Sequence, residues 1–75
     1  GGGGGSVAAK AFCDQYQTIC GFGTSGYFAS YDDCIDDFDN KFDTARRTCV
    51  ANHLSMAASN PTLHCPHAAG AAPCD

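Results

Sequence analysis

The sequence predicts an all-α fold: a small disulfide-stapled bundle of three helices with an irregular C-terminal segment. Three stretches place their apolar residues on one face at about 100° per residue, and none alternates with the period of two typical of strands. The 75 residues include six cysteines and no tryptophan. Because so short a chain buries too little apolar surface for a self-sufficient core, we expect three disulfides, each contributing about 2–4 kcal/mol.

The first predicted helix covers residues 7–20, with Ser6 as its N-cap and Gly21 after its end. Cys13 and Cys20 lie on its apolar face, two turns apart. That separation is about 10 Å at a rise of about 1.5 Å per residue, beyond the limit of about 7 Å between the Cα atoms of a disulfide. We therefore expect each of these cysteines to bond a different later segment.

A glycine-rich loop at residues 21–26 follows this helix, and it is bordered by aromatic side chains. We expect Phe22, Tyr27 and Phe28 to fold back over the core, as large aromatic residues usually do. If they are exposed instead, they form a contact surface. They are therefore the candidate interaction residues for a protein partner.

The second predicted helix begins at Ser30, which forms a capping-box-like start with Asp33. It has the clearest amphipathic pattern in the chain. Its apolar stripe consists of Tyr31, Cys34, Ile35, Phe38 and Phe42.

The other face of this helix carries a run of aspartates that extends to Asp43. An EF-hand loop needs alternating acidic residues, a central glycine and a terminal glutamate, and none of these is present. We interpret the run as a solvated face, partly neutralised by Lys41, Arg46 and Arg47, with an electrostatic contact to a basic partner as the alternative.

Asp43 or Thr44 can cap a third helix that runs to about Ala58. The last segment, residues 62–75, is predicted to be irregular, with Pro66 at the start of a single helical turn. Six cysteines allow fifteen pairings. We favour Cys20 with Cys34, Cys13 with Cys49, and Cys65 with Cys74; the alternative is a pairing that clips the C-terminal segment onto a helix.

The three histidines are the candidate metal ligands. His53 lies inside the apolar arc of the third helix, whereas His64 and His67 belong to the C-terminal segment. Three imidazoles can hold zinc or copper, and Met56 suits reduced copper. Because the spacing matches no known ligand motif, we predict no metal or cofactor. We interpret His53 as a packed core residue with a lowered pKa and the other two as exposed loop residues.

Composition narrows the possible functions. The net charge is −4, with eight aspartates and no glutamate, so the chain lacks the basic patch that nucleic acids require. The sequence has no apolar run long enough for a transmembrane helix and no signal peptide, so if the protein is exported we expect this sequence to be a mature form. Six paired cysteines favour an oxidising location: extracellular, cell surface or periplasmic. No catalytic motif is present, since Ser55 beside His53 has no evident acid partner, and we do not expect an enzyme.

Residues 6–75 are predicted to form one domain, preceded by a tether or arm, Gly1–Gly5, that resembles both an engineered linker and the glycine-rich spacer after the lipidated cysteine of bacterial lipoproteins. Lipid anchoring through an upstream residue is therefore an option.

The favoured function is a non-enzymatic structural or assembly module that packs with itself or with a larger extracellular complex. The alternatives are a secreted peptide ligand (signal, toxin or inhibitor) and a histidine-based metal-binding module. The overall plan is similar to the small disulfide-stapled helical pheromones of ciliates, although no cysteine spacing matches.

Overall fold

The computed structural model describes residues 5–75, which form helices and loops without a strand. The helices are α1 (Val7–Ile19), α2 (Tyr31–Asp36), a π-helical segment (Asp37–Lys41), α3 (Thr44–Ala57) and α4 (Pro61–Ala68). The predicted all-α, disulfide-stapled class is confirmed. The predicted tether lies outside the described residues except for Gly5. No helix in the described part of the chain has the length and apolar character needed to cross a membrane.

The first three helices begin at the caps that the sequence predicts. In each case the side-chain oxygen of the N-cap accepts a hydrogen bond from the amide three residues later. The pairs are Ser6 with the amide of Ala9, Ser30 with that of Asp33, and Asp43 with that of Arg46. These local signals therefore fix where each helix starts.

The π-helical segment Asp37–Lys41 was not predicted. Its end is marked by the amide of Phe42, which donates to the carbonyl of Asp37, five residues earlier, at 2.9 Å. Ile35 before this wider turn, Phe38 within it and Phe42 after it are all buried. The apolar stripe of the second predicted helix thus continues to face the core through the change of helix type.

The C-terminal segment is more ordered than the sequence predicts, because an eight-residue helix, α4, occupies most of it. Pro61 stands at its start, where the missing amide hydrogen costs nothing. The helix is followed by Gly70, whose φ of +102° is in the left-handed region. A Cβ atom at Gly70 would lie 3.1 Å from the Phe42 ring, so this tight turn also needs glycine for space. Only residues 69–75 remain irregular.

The core is built around Tyr16, which is fully buried. Its ring lies 4.8 Å from that of Phe28 and 5.7 Å from that of Phe22, measured between centroids. Its hydroxyl donates to the carbonyl of Cys65 at 2.9 Å, and burial raises the pKa of this hydroxyl. The prediction that the loop aromatics fold back is confirmed: Phe28 is buried, and Phe22 and Tyr27 pack partly covered against the core. Phe28 is therefore unsuited to the role of exposed interaction residue.

All six cysteines are paired, but the favoured pairing is wrong. The bonds are Cys13–Cys34, Cys20–Cys65 and Cys49–Cys74. As predicted, Cys13 and Cys20 bond different later segments. The bonds Cys20–Cys65 and Cys49–Cys74 clip the C-terminal segment onto the helical bundle, as in the alternative pairing. The favoured Cys20–Cys34 bond assumed that the glycine-rich loop brings the nearest cysteines together. Instead α2 packs against α1 at Cys13, two helical turns before Cys20, and Cys13 bonds Cys34. Cys20 bonds Cys65 of α4.

Candidate metal centre

The packing of α3 against α4 brings the three histidines together. His53 comes from α3, and His64 and His67 come from α4, where a spacing of three residues puts them on one face. The ring centroids of His53 lie 5.5 Å from His64 and 5.1 Å from His67, and those of His64 and His67 are 5.7 Å apart. Each ring therefore neighbours the other two.

The nitrogen atoms are at distances that a metal ion could bridge. Nδ1 of His53 lies 3.4 Å from Nδ1 of His64, and one nitrogen from each of the three rings lies within 4.8 Å of the others. Two nitrogens on a tetrahedral zinc ion at about 2.0–2.1 Å are separated by about 3.3 Å. The first pair already has this separation. Within the group of three, no nitrogen–nitrogen distance exceeds 4.8 Å, so each is at most about 1.5 Å longer than this separation, and rotation of the side chains can shorten it.

A hydrogen bond between two of the rings explains this cluster less completely than a metal site does. An Nδ1–H group on one ring could donate to Nδ1 of the other, although 3.4 Å is longer than the usual N–H···acceptor distance of about 2.9–3.0 Å. Such a bond would involve only His53 and His64. Nδ1 of His67 is buried and has no hydrogen-bond partner, which costs about 1–3 kcal/mol for a polar group. A hydrogen bond between His53 and His64 therefore leaves the buried Nδ1 of His67 unexplained.

The surroundings of His53 favour the neutral form of its ring. Burial lowers the pKa of His53 below its ordinary value of 6.5, and the neighbouring rings of His67 and His64 lower this pKa further. A neutral imidazole is the form that binds a metal. The predicted lowered pKa of His53 is confirmed, as is the expectation that its ring is partly covered.

The sequence prediction that His64 and His67 are exposed loop residues is wrong. Both lie in α4 and both are half-buried. The signal that could have revealed them is Pro61 as a helix start, because a helix from that position places His64 and His67 on one face. The approach of His53 depends on the packing of α3 against α4, which no local pattern encodes.

The aspartate run forms no part of this centre. Lys41 Nζ lies 3.1 Å from Asp37 and 3.8 Å from Asp36, so partial neutralisation by Lys41 is confirmed. Arg46 Nε donates instead to the carbonyl of Cys74. Arg47 Nε donates to the carbonyl of Phe38, and after the hydrogen bonds from Ser6 the charge of Arg47 also lowers the pKa of Asp39.

Asp39 is used structurally rather than as a ligand. Its carboxylate accepts hydrogen bonds from the amide and hydroxyl of Ser6, at 2.8 and 2.7 Å. These bonds lower the pKa of Asp39. They tie the start of α1 to the π-helical segment. Within residues 5–75, both groups of side chains that could share a metal ion consist of histidines and cysteines, without an aspartate.

Compared with protein-family models, curated proteins and solved structures, the chain matches none of them. The chemistry of the centre therefore rests on its own geometry.

Proposed function

We propose that the chain is a small exported metal-binding module in which His53, His64 and His67 hold one zinc ion. The observation that carries this proposal is the convergence of three half-buried imidazoles, two of them with nitrogens 3.4 Å apart. The three disulfides are consistent with an oxidising extracellular environment. In the proposal, the rigid bundle is the scaffold and the histidine cluster is its working part.

Disulfides flank the ligands and would limit the cost of ordering them. Cys65 stands next to His64 in α4 and is bonded to Cys20. Cys49 precedes His53 by one turn of α3 and is bonded to Cys74. A ligand set held in place before the ion arrives loses little conformational freedom on binding. This pre-organisation favours binding without a large rearrangement of the fold.

The ligand chemistry is suited to zinc. Neutral imidazoles are among the usual ligands of zinc, which takes three histidines in some catalytic sites. The distance of 3.4 Å between the Nδ1 atoms of His53 and His64 is compatible with two ligands of one tetrahedral ion. Three protein ligands leave the fourth position of a tetrahedral ion for water or for a donor atom of another molecule.

The direct test is calorimetric titration of the oxidised, metal-free protein with Zn²⁺ at pH 7.5. We expect one ion per chain. His53→Gln, His64→Gln and His67→Gln should each weaken binding at least about tenfold, because each removes one of three bonds to the ion. Met56→Leu is the matched control, since it changes an exposed residue of α3 near His53.

Wild-type affinity in all three glutamine variants would overturn the proposal. So would a wild-type protein that takes up no zinc. Weakening by Met56→Leu to the same extent as by the histidine variants would replace the three-nitrogen site with one that includes sulfur.

The assembly-module and peptide-ligand functions stay predictions, as does the absence of enzymatic activity. Size-exclusion chromatography with light scattering, with and without Zn²⁺, distinguishes an assembling module from a monomeric ligand.

A further inference from the structure

A second group of potential ligands lies beside the histidine cluster. One ligand atom each from Cys49, His53 and Cys74 lies within 4.8 Å of the other two. Cys49 and His53 are four residues apart in α3, so they share a face of that helix. Cys49 and His53 are half-buried and Cys74 is buried. His53 thus belongs both to this group and to the histidine cluster.

We propose that reduction of the Cys49–Cys74 disulfide creates a second metal site, in which the two thiolates and His53 bind Zn²⁺ or Cu⁺. This inference goes beyond the proposed function, since it shares His53 but requires neither His64 nor His67. Thiolates select zinc and reduced copper over harder ions. Two cysteines with one histidine are a known type of zinc ligand set that leaves a fourth position open.

The distances fit this site once the disulfide is broken. On a tetrahedral zinc ion, two sulfurs at about 2.3 Å lie about 3.8 Å apart, and a sulfur and a nitrogen lie about 3.6 Å apart. These values are within the 4.8 Å that encloses the three ligand atoms. Cys74 lies outside the helices, so its sulfur can move without breaking helical hydrogen bonds. Cys49 can adjust by rotation about its Cα–Cβ bond.

The other two disulfides have different surroundings. Cys13–Cys34 joins two fully buried residues that both lie in helices. Within the described residues, neither this bond nor Cys20–Cys65 belongs to a group of three potential ligands. The Cys49–Cys74 bond is therefore the place in residues 5–75 where reduction would complete a ligand set.

The reduction requires a dithiol as reductant and proceeds by thiol–disulfide exchange. A thiolate of the dithiol attacks Sγ of Cys49, forms a mixed disulfide and releases Cys74 as a thiolate. The second thiolate of the dithiol then attacks the other sulfur of the same dithiol molecule, which is bonded to Cys49 in the mixed disulfide. This step releases the Cys49 thiolate and leaves the dithiol oxidised as a disulfide. Two electrons pass to the protein disulfide. The metal ion binds both thiolates, and the two thiol protons of the dithiol go to solvent.

His53 cannot bind an ion at both sites at the same time. The redox state of the Cys49–Cys74 disulfide therefore selects which site is used. With the disulfide intact, His53 is available to His64 and His67. With the disulfide reduced, the two thiolates draw the ion and His53 to the Cys49 side. Because thiolates carry charge and imidazoles do not, we expect zinc affinity to rise at least about tenfold on reduction.

The test uses Co²⁺ as the probe, because thiolate ligands give it an intense charge-transfer band in the near ultraviolet. His64→Gln/His67→Gln removes the histidine cluster and keeps Cys49, Cys74 and His53. After mild anaerobic reduction with a dithiol and complete removal of the dithiol, we expect this variant to bind one Co²⁺ with the sulfur band. The matched control adds Cys49→Ser/Cys74→Ser and should lose the band under the same conditions.

Wild-type protein supplies a second measurement that does not depend on how the variants fold. After mild reduction, Zn²⁺ should slow alkylation of Cys49 and Cys74, identified by peptide mass mapping, at least about tenfold. Absence of the cobalt band in the double variant together with equal alkylation rates would overturn the inference. Persistence of the band in the control would do so as well. A failure of oxidised wild-type protein to bind Zn²⁺ would overturn the proposed function instead, and it would leave these results unaffected.

Discussion

Two regions of the molecule differ in what their side chains do. All eight phenylalanine and tyrosine residues lie at positions 12–42, and all three histidines lie at positions 53–67. The first region, residues 6–42, builds the aromatic core around Tyr16. The second region, residues 43–75, packs smaller apolar residues and presents a half-buried cluster of imidazoles. The aromatic part of the core and the candidate chemistry thus lie in different parts of the chain.

The disulfides follow the same division. Cys13–Cys34 lies within the first region, Cys49–Cys74 lies within the second, and Cys20–Cys65 joins them. The hydroxyl of Tyr16 adds a hydrogen bond across the same boundary, to the carbonyl of Cys65. This arrangement predicts that changes in the first region alter unfolding more than metal binding, and that changes in the second do the reverse.

The largest effect is expected from Tyr16→Ala. The substitution removes a fully buried ring and leaves the Cys65 carbonyl without its donor, so we expect a loss of about 3–5 kcal/mol in the free energy of unfolding. Zinc affinity should change less than about threefold, because disulfides still hold α3 and α4. Guanidinium unfolding and zinc titration measure the two quantities. Gln17→Ala, on the exposed side of α1, is the control, and a parallel loss of zinc binding in Tyr16→Ala would show that the regions are not separable.

The second effect is stabilisation by the metal itself. A ligand at one hundred times its dissociation constant stabilises the folded state by about 2.7 kcal/mol when it does not bind the unfolded chain. We expect wild-type protein to gain about this much with Zn²⁺ and to lose it on adding a chelator. His67→Gln, without one ligand, should gain far less at the same concentration. An equal gain in both proteins would place the ion elsewhere.

The division also explains how much could be predicted from the sequence. The caps at Ser6, Ser30 and Asp43 and the apolar stripes are local patterns, and each predicted the correct helix. The π-helical segment Asp37–Lys41 was missed, because a single wider turn leaves the apolar pattern almost unchanged. The boundaries of the first three helices were therefore nearly right.

Features set by contacts between helices could not be predicted in this way. The disulfide pairs depend on where along α1 the helices α2 and α4 pack. Closeness of two cysteines in the sequence did not predict which cysteines are bonded. The histidine cluster depends on α4. That segment was predicted as irregular, with Pro66 at the start of a single turn, whereas Pro66 lies inside α4. Because α4 was not predicted, the approach of the three histidines was not predicted either.

A smaller effect is the dependence of stability on pH in metal-free protein. His53 has a folded-state pKa below its ordinary value of 6.5, so between these two values the unfolded chain binds more protons than the folded one. Stability should therefore be complete above about pH 6.5 and fall as pH drops through the folded-state pKa. Urea midpoints between pH 5 and 8 measure the slope. His53→Gln should have a shallower slope, and an unchanged slope would contradict the role assigned to burial of this ring.

The smallest effect is expected from Asp36→Asn with Asp37→Asn, in the first region but away from its core. Removing these charges breaks the ion pairs with Lys41, at 3.8 and 3.1 Å. It also relieves repulsion along the aspartate run, because Asp36 and Asp37 lie beyond the first turn of the helical run 31–41, where the helix dipole no longer favours negative charge. We expect an unchanged or slightly higher unfolding midpoint at low salt and no difference at high salt. Asp32→Asn with Asp33→Asn is the matched control, since the dipole favours charge in the first turn and its removal should slightly lower the midpoint. A large loss from the first pair would mean that these carboxylates hold an ion, and the division between a structural region and a metal-binding region would then fail.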